Sequence, residues 1–399
     1  MTVYIILMIL ALSGYFVGAN RTEQSRKYYL FVVFSAILLV AILRSDQVGT
    51  DLRIYYSKYY PLYKNVPWDK IQSVTVSGDW EWGFCAFCKL IGQLSTDVQC
   101  FIVFSSIVSV VPYALFIYRN SDDVVFSSVF FLGYHIYMQS LNVIRQAMAV
   151  GIILLGVEAL KRKKYIVFLV YVFIATMFHT SAIIAVLLLV CDLLKYNRNT
   201  IYKLTAITLV FTIAYRVVFE RILSGSSALS NLYGIYSSSG SGDSGGYVTY
   251  HTLGMFGIAL VVFMIGCLYY YNEGDQVRLY EYGKRWRSVW HLQGLTLVRN
   301  YHDADEQIYW SDSMLIYAVY FAVLFRFSAF LINVTARFAM YFIPFLMIAS
   351  PYFCNKICDN KTRKIVKFGM IAIVLAFFFF IGYTRAGELW GTVPYEFCF

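Results

Sequence analysis

The sequence predicts an all-α polytopic integral membrane protein of about twelve transmembrane helices, with outer loops forming a cavity. Three observations carry this. The 399 residues are 59% hydrophobic and only 14% charged, with a mean hydropathy of +0.61, whereas a soluble domain carries roughly 25% charged residues. The apolar residues fall in long runs, and Lys and Arg collect in short loops between them.

The runs lie near 1–19, 28–43, 98–118, 124–140, 143–160, 201–219, 251–271, 313–332, 336–354 and 365–383. A crossing needs about 20 residues, so each is read as one helix. The stretch 165–194 is too long for one crossing and short for two. Phe178-His179-Thr180 stands at its centre, and two short or tilted helices are expected to meet at that histidine. Residues 84–96 read as a short re-entrant or interfacial piece. Met1 to Gly18 has no basic leading segment, and a second apolar run follows closely. It is therefore expected to stay as the first helix and not to be cleaved as a signal.

The loops 20–27, 161–164, 195–203 and 355–364 are short and basic, which assigns them to the cytoplasm. All four share a side only if 165–194 crosses twice, and both termini then lie outside. Among the longer loops, 44–83 and 220–250 fall outside and 272–312 inside. None has room for a domain of its own, so residues 1–399 read as a single transmembrane domain. Residues 224–246 are rich in Ser and Gly, as in a flexible linker. No internal repeat is visible, so an inverted-repeat transporter gains no support.

The net charge of +10 follows from the basic loops, and no nucleic-acid module is present. Aromatics make up 19%, as interface belts and sugar-facing cavities require. The eight Cys read as small buried hydrophobes, and the lone Cys85–Cys88 pair lacks the second pair of a metal site. Gly240, Gly242 and Gly245 spell GxGxxG without a preceding strand. Asp303 and Asp305 spell DxD in a loop too short for a nucleotide-binding domain. No HExxH, no Walker A motif and no paired metal ligands occur, so neither metal nor cofactor is expected.

What remains is a set of ionisable residues in or beside the membrane. On this topology Arg44, Asp51, Glu81, Arg145, His179 and Arg337 all land at or beyond the outer ends of helices, and Arg326 sits about four turns into its helix. A central Arg or Asp costs about 2.5–3.5 kcal/mol on insertion scales, so such residues face a cavity or each other. A guanidinium grips phosphate oxygens with a planar fork and stays charged. Arg145, Arg326 and Arg337, with Arg44 nearby, are thus candidates to clamp a pyrophosphate; the alternative is that each snorkels or pairs with a carboxylate. Asp51 and Glu81 bound the first outer loop. Either carboxylate is placed to take a proton from a sugar hydroxyl, or else serves as ion-pair partner of Arg44 or Arg53. His179 is a third candidate base. Asn142 and Gln146 flank Arg145 with amides suited to sugar hydroxyls or phosphate, or to capping the helix start.

These residues fall in short motifs. Leu43-Arg44, Val48-Gly49-Thr50-Asp51 and Tyr55-Tyr56 come first, then Glu81-Trp82-Gly83-Phe84. Asn142-Val143-Ile144-Arg145-Gln146 with Ala147 and Ala149 follows, then Phe178-His179-Thr180-Ser181-Ala182. Arg337-Phe338 with Tyr341-Phe342 closes the series. In this order, spread over most of the chain, they resemble the EpsG family of bacterial exopolysaccharide proteins, related to Wzy-type polymerases. The resemblance implies a glycan polymerase of the bacterial cytoplasmic (inner) membrane that works at its outer face. Its substrate would be an undecaprenyl-pyrophosphate-linked oligosaccharide repeat. The growing chain would move from its lipid pyrophosphate onto the sugar of an incoming repeat, with release of undecaprenyl pyrophosphate. The resemblance also implies a chain-length regulator and a flippase of the same pathway as protein partners, and adds Tyr341 to the substrate-binding candidates. Loops 224–246 and 272–312 carry no part of it.

Two other classes compete. A ligase would use the same carrier but a different acceptor lipid or protein. A flippase would need polar residues along the whole crossing, and here they bunch at one end.

Overall fold

The computed structural model describes residues 1–74, 80–194, 199–210, 214, 245–273, 289–293, 296–300, 312–330 and 335–399. The chain forms α1 (Thr2–Ser13), α2 (Glu23–Ile42), α3 (Trp82–Gly92), α4 (Val98–Asn120), α5 (Val124–Gly133) and α6 (Ile136–Asn142). There follow α7 (Ile144–Lys161), α8 (Tyr165–Thr176), α9 (Leu187–Leu193), α10 (199–210) and α11 (Gly245–Glu273). The last are α12 (Asp312–Ser328), α13 (Thr335–Ala339), α14 (Ile343–Asn355), α15 (Asn360–Thr384) and α16 (Ala386–Trp390). Four helices start at polar caps, where a side-chain oxygen satisfies orphan N–H groups. Thr22 and Ser25 form a capping box on α2, and Asp97, Asp123 and Asp359 cap α4, α5 and α15.

This is a helical membrane protein. On α2, Leu30, Val33, Phe34, Ile37 and Ala41 are buried while Tyr28, Phe31, Val32 and Leu39 are exposed. A helix apolar on both its buried and its exposed face suits lipid rather than water.

The number of crossings is where expectation and structure part. Among the described residues, four helices are long and apolar enough to cross, and five if the bent pair α5–α6 is one span. About twelve were expected from the apolar runs. Those runs are subdivided by turns. His135 takes a left-handed conformation with φ 59° between α5 and α6, and the two helices bend by 50° there. Val143 breaks α6 from α7. The piece at 84–96 is the 11-residue α3, only about 17 Å long.

The prediction of two helices meeting at His179 holds. After α8 the chain turns at Met177–His179 and returns through a 3₁₀ segment (Thr180–Val186) into α9. The hairpin closes on itself where Lys163 Nζ meets Asp192 Oδ1 at 2.5 Å.

One departure from all-α is a two-stranded antiparallel hairpin in the 272–312 loop, β1 (Val289–Gln293) with β2 (Thr296–Asn300). Val, Trp, Leu and Thr there favour extended backbone. The rest of that loop with its DxD pair, and nearly all of the Ser/Gly-rich loop with Gly240 and Gly242, lie outside the described residues.

The helices have two distinguishable ends. At one, basic loops converge on Asp123: Lys367 pairs with it, Asn20 Nδ2 donates to it at 2.7 Å and the Tyr15 hydroxyl donates at 3.2 Å. Arg26 donates to Ser121 O, and Lys161 Nζ donates to Asn120 Oδ1 at 2.6 Å. At the other end lie the α6–α7 break, the turn after α8 and the start of α3. Helix α7 joins the two ends, with Arg145 in its first turn and Lys161 in its last; its 18 residues rise about 27 Å, close to the hydrocarbon thickness of about 30 Å.

A large apolar core runs through the bundle. A second core lies under the 44–83 segment, where Leu52, Tyr56, Tyr60, Tyr63, Ile71 and Trp80 pack on α3, on Phe101 and Ile102 of α4, and on Ile144 and Met148 of α7. Tyr56, Trp80, Phe84 and Phe101 have ring centroids 5.2–6.1 Å apart in the contacting pairs, within the range of favourable aromatic contacts. The first long loop is thus a folded cap, and this is what positions the site.

Candidate active site

Two close backbone approaches and one side-chain tether bring the site together. Gly49 has φ +107°, and a Cβ there would stand 2.7 Å from Leu141 O. Only glycine lets the 48–51 turn lie on the end of α6. Asp51 N–H then donates to Asn142 Oδ1 at 2.9 Å, and Gly49 N–H to Gly391 O at 2.9 Å. Gly83 is pressed on Met177 so closely that a Cβ would stand 2.6 Å from its Cβ and 2.9 Å from its carbonyl oxygen. Phe84 N–H donates to that carbonyl at 3.1 Å, so the start of α3 rests on the turn after α8. Finally, Gln146 Nε2 donates to Arg337 O at 2.6 Å, tying α13 to α7.

Glu81 stands at the centre. It is the N-cap of α3, but its side chain caps nothing in its own helix. Its Oε2 accepts from Arg145 Nη1 at 2.7 Å. Its Oε1 accepts from Thr180 N–H at 2.9 Å and from the Thr180 hydroxyl at 3.2 Å, and stands 3.3 Å from His179 Nδ1. Burial opposes its ionisation, but the His179 contact, the Arg145 charge and the Thr180 bonds outweigh this and hold its pKa down to about 2. The arginine is clamped in turn. Its guanidinium lies over Trp80 at 5.6 Å and Phe84 at 6.0 Å from the ring centroids, a cation–π arrangement. It also shares a hydrogen bond with the Tyr56 hydroxyl.

Asp51 and His179 are poised differently. Burial pushes the Asp51 carboxyl up from its ordinary value, while Arg337 and Arg145 pull it back less strongly. Burial lowers His179, and Arg145 and Arg337 add to this against the pull of Glu81. Near neutral pH the imidazole is therefore the neutral form. Tyr341 OH and Ser181 Oγ meet at 3.0 Å, and Tyr341 lies in the field of Glu81 and Arg337. Beside this network opens a cleft of about 420 Å³, lined by Gln72, Trp80, Glu81, Trp82, Thr176, Met177 and Thr180, within the usual span for ligand sites.

Eight of the ten predicted site residues thus come together: Asp51, Glu81, Asn142, Arg145, Gln146, His179, Arg337 and Tyr341. The other two lie in different surroundings. Arg44 is buried in a separate pocket lined by serines of α4 and the α6–α7 junction, and is faced by Tyr4, Tyr137 and Tyr395. Arg326, 3% exposed, bonds to Tyr134 and lies near His251. Glu81 pairs with Arg145 and not with Arg44 or Arg53. Trp80 and Tyr56, which hold the Arg145 guanidinium, were not singled out as site residues; their signal was an aromatic run in a loop otherwise bound for water. Among the described residues no three His, Cys, Asp or Glu side chains gather as metal ligands, and none of the eight cysteines forms a disulfide.

Fold and site together define a helical membrane protein with a charged, partly buried site where its helices break, at the end away from the basic loops. The family model of the EpsG family matches residues 27–397, nearly the whole chain. The chain belongs to that family, whose members are polysaccharide-polymerase-like. No curated protein and no solved structure matches it.

Proposed function

We propose that this protein polymerises undecaprenyl-pyrophosphate-linked oligosaccharide repeats at the outer face of the bacterial cytoplasmic membrane. The observation that carries this reading is Arg145. It stands in the first turn of the 18-residue α7, where orphan N–H groups and the helix dipole attract an anion and oppose a cation. A cation kept there next to Arg337 and an open cleft suits a dianionic leaving group better than it suits stability alone.

The basic loops at the far end are cytoplasmic by the positive-inside rule, which turns the site outward. The shorter apolar helices then complete further crossings toward the expected total. In the reaction the acceptor sugar hydroxyl attacks the anomeric carbon of the growing chain. The new C–O bond forms as the bond from that carbon to the pyrophosphate oxygen breaks. Arg145 and Arg337 stabilise the charge on the departing pyrophosphate. Asp51 takes the hydroxyl proton: among the described residues no donor occupies its carboxylate, whereas both Glu81 oxygens are engaged. Glu81 positions Arg145 and orients His179.

The test is reconstitution of the purified protein in liposomes with native lipid-linked repeats as the sole substrate. A product ladder spaced by one repeat is expected. Labelled repeats crossing the bilayer without forming a ladder would replace this reading with a flippase.

A further inference from the structure

The cleft beside Glu81 holds about 420 Å³, yet the arginines of the site do not line it. Of the described residues on its wall, Glu81 alone is charged, and both its oxygens are engaged by Arg145 and Thr180. Neither Arg145 nor Arg337 belongs to the wall. An ionised carboxylate or phosphate offers acceptor oxygens and finds no cation there to meet them.

What the wall offers is uncharged. Gln72 Nε2 gives one N–H to Trp80 O at 3.2 Å, which leaves its second N–H and its Oε1 unused among the described residues. The Thr176 hydroxyl donates to Phe173 O at 2.6 Å and can still accept. A hydroxyl both donates and accepts, so a polyol satisfies both kinds of partner where an anion satisfies one.

Trp82 supplies the apolar part. The neighbouring Trp80 is 6% exposed, with the Arg145 guanidinium over its face and Tyr63 stacked on it at 6.2 Å. Trp82 is 48% exposed, and among the described residues no ring or cation packs on its indole. The backbone on either side of it is fixed, by the Thr180 bonds to Glu81 and by the contact of Gly83 with Met177. A large ring on fixed backbone has only two side-chain torsions left for binding to order. The C–H face of a pyranose covers such a ring, and its hydroxyls point outward at the edge.

We propose that the cleft is a subsite for one uncharged sugar ring, stacked on Trp82 and bonded through its hydroxyls to Gln72 and Thr176. The inference deepens the polymerase reading, and rests on it for the claim that a glycan arrives here. The arginines then serve the pyrophosphate and the cleft serves the sugar.

The experiment takes two readings on the purified full chain. Calorimetry measures binding of the native repeat oligosaccharide released from its carrier, and liposomes report the ladder from lipid-linked repeats. Trp82→Ala is expected to weaken oligosaccharide binding about tenfold or more, with most of the affinity kept in Trp82→Phe. The repeat concentration at half-maximal rate should rise by the same factor. Should Trp82→Ala fail to fold, Gln72→Ala at an exposed position serves, with binding about fivefold weaker. Binding with this pattern but no ladder would remove the polymerase reading and leave the subsite standing. Wild-type affinity in Trp82→Ala, or no binding by the wild type, would overturn the subsite even with a normal ladder, since the indole is then an interfacial anchor. So would displacement of the oligosaccharide by inorganic pyrophosphate, because the cleft would then belong to the leaving group.

Discussion

Arg145 and Arg326 occupy similar stretches of sequence, each an arginine among apolar helix residues, yet their surroundings are opposite. Arg145 begins a helix, where the dipole opposes it, and is held by Glu81, Tyr56 and two aromatic faces. Arg326 is in the last turn of its helix, where the dipole favours a cation, and has Tyr134 as its bonded neighbour. The depth of a charge within an apolar run therefore says little about its use. Its position relative to a helix break says more. Glu81, Arg145 and His179 all sit at starts or turns, where backbone groups are unsatisfied and chains approach closely.

The largest effect that sharpens this contrast is expected from Arg145→Ala. Polymer should disappear, a loss of at least about 10²–10³-fold, with the protein still inserted. Glu81, left without its partner, should lower stability by about 3–5 kcal/mol. Arg145→Lys should not restore full activity, because an ammonium lacks the planar fork. Wild-type chain lengths from inserted Arg145→Ala would sink the site.

A smaller effect concerns the base. Asp51→Asn should slow polymerisation by about 10²–10⁴-fold. In the wild type, activity should fall as pH drops through the raised Asp51 value, because the protonated acid accepts nothing. Glu81 remains ionised down to pH about 2, so the ion pair survives that fall and cannot cause it. If His179→Asn removes the acid limb and Asp51→Asn preserves it, the imidazole oriented by Glu81 is the base instead.

The smallest effect is expected from Arg326→Met. Replacing a buried charge by an apolar side chain of similar length is often neutral or stabilising, by about 1–4 kcal/mol. Polymer output should stay within a few-fold of wild type, read as ladder intensity per inserted protein. A loss as deep as that of Arg145→Ala would merge the two regions into one site.

Much of the site was legible in the sequence because its residues fall in motifs with functional side chains next to glycines. Gly49 and Gly83 stand beside Asp51 and Glu81, and both glycines prove to be points of close backbone contact. Arg44 reads like the others, since its motif gives no sign that the side chain turns into a serine-lined pocket. That direction depends on packing among α2, α4 and the segment around Phe397, which forms a bridge with Arg44. Hydropathy found the helices, but among the described residues only four, or five with the bent pair, are long and apolar enough to cross on their own. It averages over Val143 and His135, where one or two residues of unusual backbone divide an apolar run. The aromatic cap over residues 52–74 escaped for a related reason: the segment is too polar to read as buried, and its core forms only against α3 and α4.

The Glu81 network has a consequence for how such a protein diversifies. Thr180 gives Glu81 an N–H and a hydroxyl, and the Arg145 guanidinium is held by Tyr56, Trp80 and Phe84 of the second core, so the charged floor of the cleft tolerates little change. At the rim Trp82 is exposed and Thr176 half-buried, and neither gives a bond to Glu81 or Arg145. Substitutions there alter the shape of what enters without disturbing the ion pair beneath. On the proposed reading, one charged floor is thereby compatible with many glycan repeats, and exchange of rim residues between relatives is the natural route to a new sugar preference.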